Sequence, residues 1–264
     1  MTATALTIAG SDSSGGAGVE ADLKTFSALG VYGAAVVTAL TAQNTNGVFG
    51  VHNVPADFIA AQINAVFADL AVGAVKIGML GTAPVTDVVA AALDRYRPRN
   101  VVVDPVMVAT SGERLLQQGA FGRLRELIRR AHVLTPNLPE AAALLGVPLA
   151  RNEDEMCLQA MKLLALGVGA VLIKGGHGSG PDSADLLVGP ELHIRLSAPR
   201  VDTKNTHGTG CTLASAIAAG LAKGLALEVA ARQAKDYVTA AIAAADRLDV
   251  GTGHGPVHHF YRWW

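Results

Sequence analysis

The stretch Leu6-Thr7-Ile8-Ala9-Gly10-Ser11-Asp12-Ser13-Ser14-Gly15-Gly16-Ala17-Gly18 runs from an apolar, β-branched segment into a glycine-rich loop. Val19, Leu23 and Phe26 follow at helical spacing, so the unit reads strand, loop, helix. Further continuous apolar runs stand at 34–38, Ala74–Ile77, Val101–Val103, 132–134 and 170–173. Apolar stripes with the period of an amphipathic helix separate them: Ile59/Ile63/Val66/Phe67/Leu70, Val85/Val88/Val89/Ala92/Tyr96, Cys157/Ala160/Met161/Leu164, and Ala230/Ala234/Tyr237/Val238/Ala241/Ile242. Strands without polar alternation are covered on both faces, so the pattern predicts an α/β protein with a mainly parallel sheet. One segment breaks the rhythm: 48–54 follows the 34–38 run after the polar turn Gln43-Asn44-Thr45-Asn46-Gly47, which is hairpin spacing. It reads equally as a flap over a site or as an antiparallel sheet edge.

The chain has 264 residues, 50% of them apolar and 16% charged, so it can bury a large core and is not intrinsically disordered. No repeat or low-complexity linker divides it, and 1–264 reads as a single domain. Twenty-one basic against 22 acidic residues leave a net charge of -1, which excludes the electrostatic footprint of a nucleic-acid binder. The uncharged stretch 28–42 is too short for a membrane span and reads as core. Two cysteines cannot form a disulfide framework, and the start lacks a basic leader, so the expected compartment is the cytoplasm.

Four constellations carry chemistry. The loop 10–18 is an anion or ligand cradle between strand and helix, or merely a tight turn. It partly fits a dinucleotide pattern as Gly16-x-Gly18-x-x-Ala21, but no acidic residue occurs in 36–42, and Gly16 stands where a Walker loop has lysine. The second, Asn205-Thr206-His207-Gly208-Thr209-Gly210-Cys211-Thr212, opens a helix carrying Leu213, Ile217 and Leu221. Its free N–H groups and dipole favour a phosphoryl group, and the same helix end is expected to lower the Cys211 thiol pKa. Cys157, on an apolar stripe, reads as core. In the third, Ile173-Lys174-Gly175-Gly176-His177-Gly178, Lys174 ends a strand where α/β sheets bind ligands. The fourth sets Asp104, closing Val101–Val103, against Asn137-Leu138-Pro139-Glu140: oxygen ligands for Mg²⁺, with a helix cap as the rival account of Asn137 and Glu140. His254, His258 and His259 lack the spacing of a zinc site.

Together, Gly10–Gly18 of the first loop, Ala42-Gln43-Asn44-Thr45, Lys76-Ile77-Gly78-Met79-Leu80, Asp104-Pro105-Val106-Met107, Asn137-x-x-Glu140, Lys174-Gly175-Gly176-His177, Gly208-Thr209-Gly210-Cys211-Thr212 and Gly253-His254-Gly255-Pro256-Val257-His258-His259-Phe260 resemble the ribokinase-like superfamily. Within it the sequence is most similar to the bacterial hydroxymethylpyrimidine and phosphomethylpyrimidine kinases of thiamin biosynthesis. The resemblance implies a three-layer αβα sandwich with a mostly parallel sheet and a small β flap. It also implies ATP and Mg²⁺ as cofactors, a homodimer, and two successive phosphorylations of 4-amino-5-hydroxymethyl-2-methylpyrimidine. By the resemblance Gln43 reads the pyrimidine edge, Gly10, Asp22, Met79 and Val106 complete the substrate site, and Asp22 lies near the hydroxymethyl group. Lys174, Asn137 and Thr209 meet ATP, while Asp104 and Glu140 organise the metal. Gly208, Gly210 and Cys211 stabilise the transferred group, with Cys211 as base or as part of the anion hole. A pyridoxal kinase of the same fold and a non-catalytic nucleotide- or precursor-binding protein are the alternatives.

Overall fold

The computed structural model describes residues 2–109, 112–176 and 180–264. Eight strands form one sheet in the order β10-β9-β8-β7-β6-β5-β1-β2. Its six parallel members are β1 (Thr4–Ala9), β2 (Tyr32–Val37), β5 (Ala74–Ile77), β6 (Val101–Val103), β7 (Val133–Leu134) and β8 (Val171–Ile173). β9 (Asp182–Gly189) and β10 (Leu192–Pro199) extend the edge as an antiparallel hairpin. β3 (Ala39–Asn44) and β4 (Gly47–Asn53) stand apart as a two-stranded sheet. The three-layer sandwich with a flap is therefore present.

Side chains alternate across each strand, and this alternation assigns the two helical layers. Leu6, Ile8, Val75, Ile77, Val101, Val103, Leu134, Val171 and Ile173 share one core with α2 (Ala56–Asp69), α3 (Ala83–Tyr96), α4 (Phe121–Leu127), α5 (Leu138–Leu145) and α6 (Glu153–Leu164). Ala5, Ala74, Val102, Val133, Ala170 and Leu172 face α1 (Gly18–Ala28), α7 (Thr209–Ala222) and α8 (Leu227–Ala243). Small residues let α7 and α8 approach closely: a Cβ on Gly220 would lie 2.7 Å from that of Ala230. Local signals fix the helix starts. Asn137 and Glu140 form a reciprocal capping box, and the Asn152 side chain accepts the Glu155 N–H.

Three expectations need correction. The segment 48–54 does not pair with the 34–38 run: β2 stays in the main sheet, the chain turns at Thr38, and β4 pairs with the separate β3. Strands β9 and β10 escaped the reading, because polar Asp182, Ser183 and Asp185 interrupt the apolar run of one and exposed residues alternate through the other. The inward face of α6 is Met156, Gln159, Ala160 and Leu163, while Met161 is exposed. Cys157 is half-buried and packs on the margin of that core, and its Sγ lies 3.4 Å from His193 Nε2 on β10. No helix among the described residues is long and apolar enough to cross a membrane.

Candidate active site

The strand order reverses between β1 and β5, since β2 lies on one side of β1 and β5 on the other. Ligands of open α/β sheets bind beyond the strand ends at such a switch point. There the loops after β1, β5, β6, β7 and β8 deliver Gly10, Met79, Asp104, Asn137 and Lys174 to one rim.

Lys174 is the centre of a charged cluster. Its Nζ donates to Asp104 Oδ1 at 2.7 Å and stands 3.9 Å from Glu140 Oε2. Thr135 Oγ1 donates to the same Asp104 oxygen at 3.2 Å. Glu140 Oε2 also accepts the Asn137 N–H at 2.8 Å, so the capping account of this residue and its place in the cluster hold together. Two buried carboxylates share one ammonium. Burial, with the Asp104 charge adding to it, pushes the Glu140 carboxyl up to about 7 although Lys174 pulls the other way. Burial works against the Lys174 charge, but Asp104 and Glu140 more than offset it and raise that group above its ordinary value. Spare negative charge on hard oxygens is a donor set that suits Mg²⁺, which uses one or two carboxylates with waters and phosphate oxygens. No group of three His, Cys, Asp or Glu side chains is gathered around one point among the described residues.

The N-terminus of α7 faces this cluster. A Cβ on Gly210 would lie 3.2 Å from Lys174 Nζ and 3.7 Å from Asp104 Oδ2. Gly208 caps the helix with φ 79° and no side-chain cap; the Thr209 N–H turns back to the Thr206 carbonyl at 3.2 Å, and the N–H groups of Gly210 and Cys211 remain to meet a ligand. Only glycine fits at the cap: a Cβ on Gly208 would fall on the carbonyl oxygen of Gly16. The two glycine loops thus interlock. The Thr209 hydroxyl turns back to the Thr206 carbonyl at 2.7 Å.

Cys211 occupies that first turn, but its thiol is not lowered as expected. Burial raises it to about 11, against the opposing charge of Lys76, and the Gly18 N–H that it accepts does not compensate. Lys76 is fully buried and donates to Asp22 Oδ2 at 2.8 Å; Thr7 Oγ1 and Ser215 Oγ donate to the same carboxylate, each at 2.6 Å. Asp22 is itself completely enclosed, beneath the rim rather than in it. Ser215, one of its partners, lies one helical turn from Cys211 on α7.

Gly10 and Met79 meet at the rim, where a Gly10 Cβ would lie 3.0 Å from the Met79 sulfur. Gln43 reaches it from the flap. Its main-chain N–H donates to Ser13 Oγ at 2.9 Å, the Ser13 hydroxyl donates to its carbonyl at 2.8 Å, and Thr41 Oγ1 donates to its Oε1 at 3.2 Å. Val106 is half-buried on the loop after Asp104. His177 lies outside the described residues.

Two features had no role in the sequence reading. Asp12 and His207 form a buried pair, Oδ2 to Nε2 at 2.7 Å, that joins the first glycine loop to the second. Burial acts to raise Asp12, yet hydrogen bonds from His207 and Ser14 hold it well below the usual carboxylate range. The signal for Lys76 was present, a single lysine inside the apolar run Ala74–Ile77; the partner that neutralises it lies 54 positions away.

The family model for phosphomethylpyrimidine kinase matches residues 12–258. The chain belongs to that family. It is 57% identical, over 100% of its length and 99% of the relative's, to a hydroxymethylpyrimidine/phosphomethylpyrimidine kinase of Rhizobium meliloti. Among solved structures, phosphomethylpyrimidine kinase from Clostridium difficile shares 44% identity, with a TM-score of 0.81 over 90% of this chain and 99% of that one. Bacillus subtilis pyridoxal kinase, solved as an ADP complex, shares 38% identity, with a TM-score of 0.91 over 98% of both chains.

Proposed function

We propose that this protein is the hydroxymethylpyrimidine and phosphomethylpyrimidine kinase of thiamin biosynthesis, phosphorylating 4-amino-5-hydroxymethyl-2-methylpyrimidine with ATP and then the monophosphate to the diphosphate. The observation that carries the reading is the cluster of Lys174, Asp104 and Glu140 against the open N-terminus of α7. Phosphoryl transfer demands in-line positioning and neutralisation of oxygen charge, and this is what the cluster supplies. Lys174 meets the ATP phosphates, with Asn137 and Thr209 beside it. Gly208, Gly210 and Cys211 present main-chain N–H groups to the transferred phosphoryl. Asp104 and Glu140 would hold Mg²⁺, which would neutralise phosphate charge.

Gln43, whose carboxamide offers one donor side and one acceptor side, reads the aminopyrimidine edge, while Gly10, Met79 and Val106 frame the ring. Asp22 acts from below as a positioning residue. In the first step the hydroxymethyl oxygen bonds to the γ-phosphorus, the bond to the β-phosphate oxygen breaks to release ADP, and the hydroxyl proton leaves to a transferred phosphoryl oxygen or to water. With its thiol near 11, Cys211 is neutral at rest, which supports a place in the anion hole over that of a standing thiolate base. The fit to a pyridoxal kinase over 98% of the chain supports a second reading, pyridoxal phosphorylation in the same site.

A homodimer is part of the proposal, and exposed Leu40, Phe49 and Val51 on the flap offer apolar surface for it. The expected compartment is the cytoplasm. The deciding experiment is mass spectrometry of products formed with Mg-ATP and equal hydroxymethylpyrimidine and pyridoxal, sampled over time. Pyrimidine monophosphate followed by diphosphate is expected. Pyridoxal phosphate alone would transfer the assignment to the second reading, and no product from either would point to a binding protein.

A further inference from the structure

Lys174 is fixed at its base as well as at its tip. Its own N–H donates to the Pro136 carbonyl at 2.8 Å, and it bridges to Asn137 across the ends of β7 and β8. The next residue, Gly175, donates its N–H to Asp185 Oδ1 on β9 at 2.9 Å. The other oxygen of that carboxylate accepts from Lys235 Nζ on α8 at 2.8 Å, and Lys235 also reaches Ser183 Oγ at 3.3 Å. Asp185 and Lys235 are both buried. A Cβ on Gly175 would fall on the carbonyl oxygen of Ala184, so the turn is pressed directly onto β9. On its far side the Gly176 carbonyl accepts from Arg200 Nη1 at 2.7 Å.

We propose that Lys235 and Asp185 are positioning residues for phosphoryl transfer, a buried ion pair that sets the direction in which Lys174 leaves the sheet. Neither touches the rim. Isolated buried ion pairs give a fold little net stability over an apolar pair, so this one is better understood by what its carboxylate holds. Asp185 accepts the amide of the residue that follows Lys174, and Lys235 orients the Asp185 carboxylate within the core. The turn carries no side chain of its own at Gly175 or Gly176, so its path is held by the close approach of its backbone to β9 together with the bond to Asp185. A misdirected Lys174 loses contact with phosphate while the pyrimidine side, built from β1, the flap and Met79, is untouched.

This inference rests on the reading of Lys174 as the phosphate-binding lysine. Its test compares two variants that both remove the ion pair. Asp185→Asn/Lys235→Met keeps an amide oxygen for the Gly175 N–H, whereas Asp185→Ala/Lys235→Met leaves that N–H without an acceptor. Neither variant buries an unpaired charge, so both are expected to fold, as urea unfolding would establish. Calorimetric binding of the non-hydrolysable analogue AMP-PCP with Mg²⁺ is the first readout, because it needs no assumption about the acceptor substrate. The alanine variant is expected to bind about tenfold more weakly than the asparagine variant, the order expected when one buried hydrogen bond is lost. Turnover should fall in parallel, and the KM for the pyrimidine should stay within about twofold, which a general loosening of the fold would not produce. Wild-type AMP-PCP affinity in the folded alanine variant, or a pyrimidine KM that rises as far as the nucleotide constant, would overturn the proposal. Wild-type protein that binds AMP-PCP but phosphorylates neither vitamin precursor would instead refute the functional reading and leave this comparison intact.

Discussion

Cys211 provides the sharpest test of the site's electrostatics. The thiol stands in the first turn of α7, where the helix end alone would lower it, yet burial carries it from an ordinary 9.0 to about 11. At pH 7.5 that change takes the thiolate share from roughly 3% to roughly 0.03%, a factor of about one hundred. Alkylation by iodoacetamide requires the thiolate, so the rate at Cys211 should climb about tenfold per pH unit through pH 9.5 without a plateau. Peptide mass spectrometry distinguishes Cys211 from Cys157 in one sample, so no substitution is needed. Limited access would slow labelling equally at every pH and cannot change the shape of the profile. A plateau below pH 8 would refute the reasoning and make Cys211 a standing thiolate. The kinetic companion follows directly: Cys211→Ala keeps the main-chain N–H and should retain most of the turnover in both phosphorylations. A turnover loss much larger than the rise in the pyrimidine KM, confined to the first step where the acceptor oxygen still carries its proton, would reinstate the base.

Further outcomes follow from other parts of the structure. Lys76→Met strands the enclosed Asp22 carboxylate and should cost about 3–5 kcal/mol in urea unfolding, most of it regained in Asp22→Asn/Lys76→Met. A single variant as stable as the double would contradict the buried pair. Gly224 and Gly208 both have positive φ, but only Gly208 meets a main-chain oxygen. Gly224→Ala should therefore cost about 1–2 kcal/mol and Gly208→Ala considerably more, with phosphoryl transfer abolished. Comparable melting points for the two would remove the interlock between the glycine loops. Glu140 titrates near 7 in the folded protein, above its ordinary 4.5, so the folded state binds the extra proton between those values. Its contribution to stability is therefore full below pH 4.5 and declines as pH rises toward 7. Unfolding midpoints at pH 5 and pH 7.5 should differ by less in Glu140→Gln than in the wild type, and an unaltered difference would place the titration elsewhere.

Apolar runs and helical periodicity determined the sandwich, because a strand covered on both faces must be apolar along its whole length. Val101–Val103 and Ala74–Ile77 were legible for that reason, as were the rim residues at their ends, since parallel connections bring all those ends to one side. The capping box at Asn137 and Glu140 was equally legible, being a local spacing. The hairpin β9–β10 was not: it lies at the edge of the sheet, and an edge needs no continuous apolar run. Nor could sequence spacing pair Lys76 with Asp22, Asp12 with His207, or Lys235 with Asp185. Sequence spacing also gave the wrong direction for Cys211, since a helix end is a local feature and desolvation is set by everything packed around it. Local chemistry therefore chose the elements and the rim, whereas the charge state of the rim and the direction of its lysine were decided only when distant side chains closed over them in a core of low dielectric, where an unpaired charge is costly.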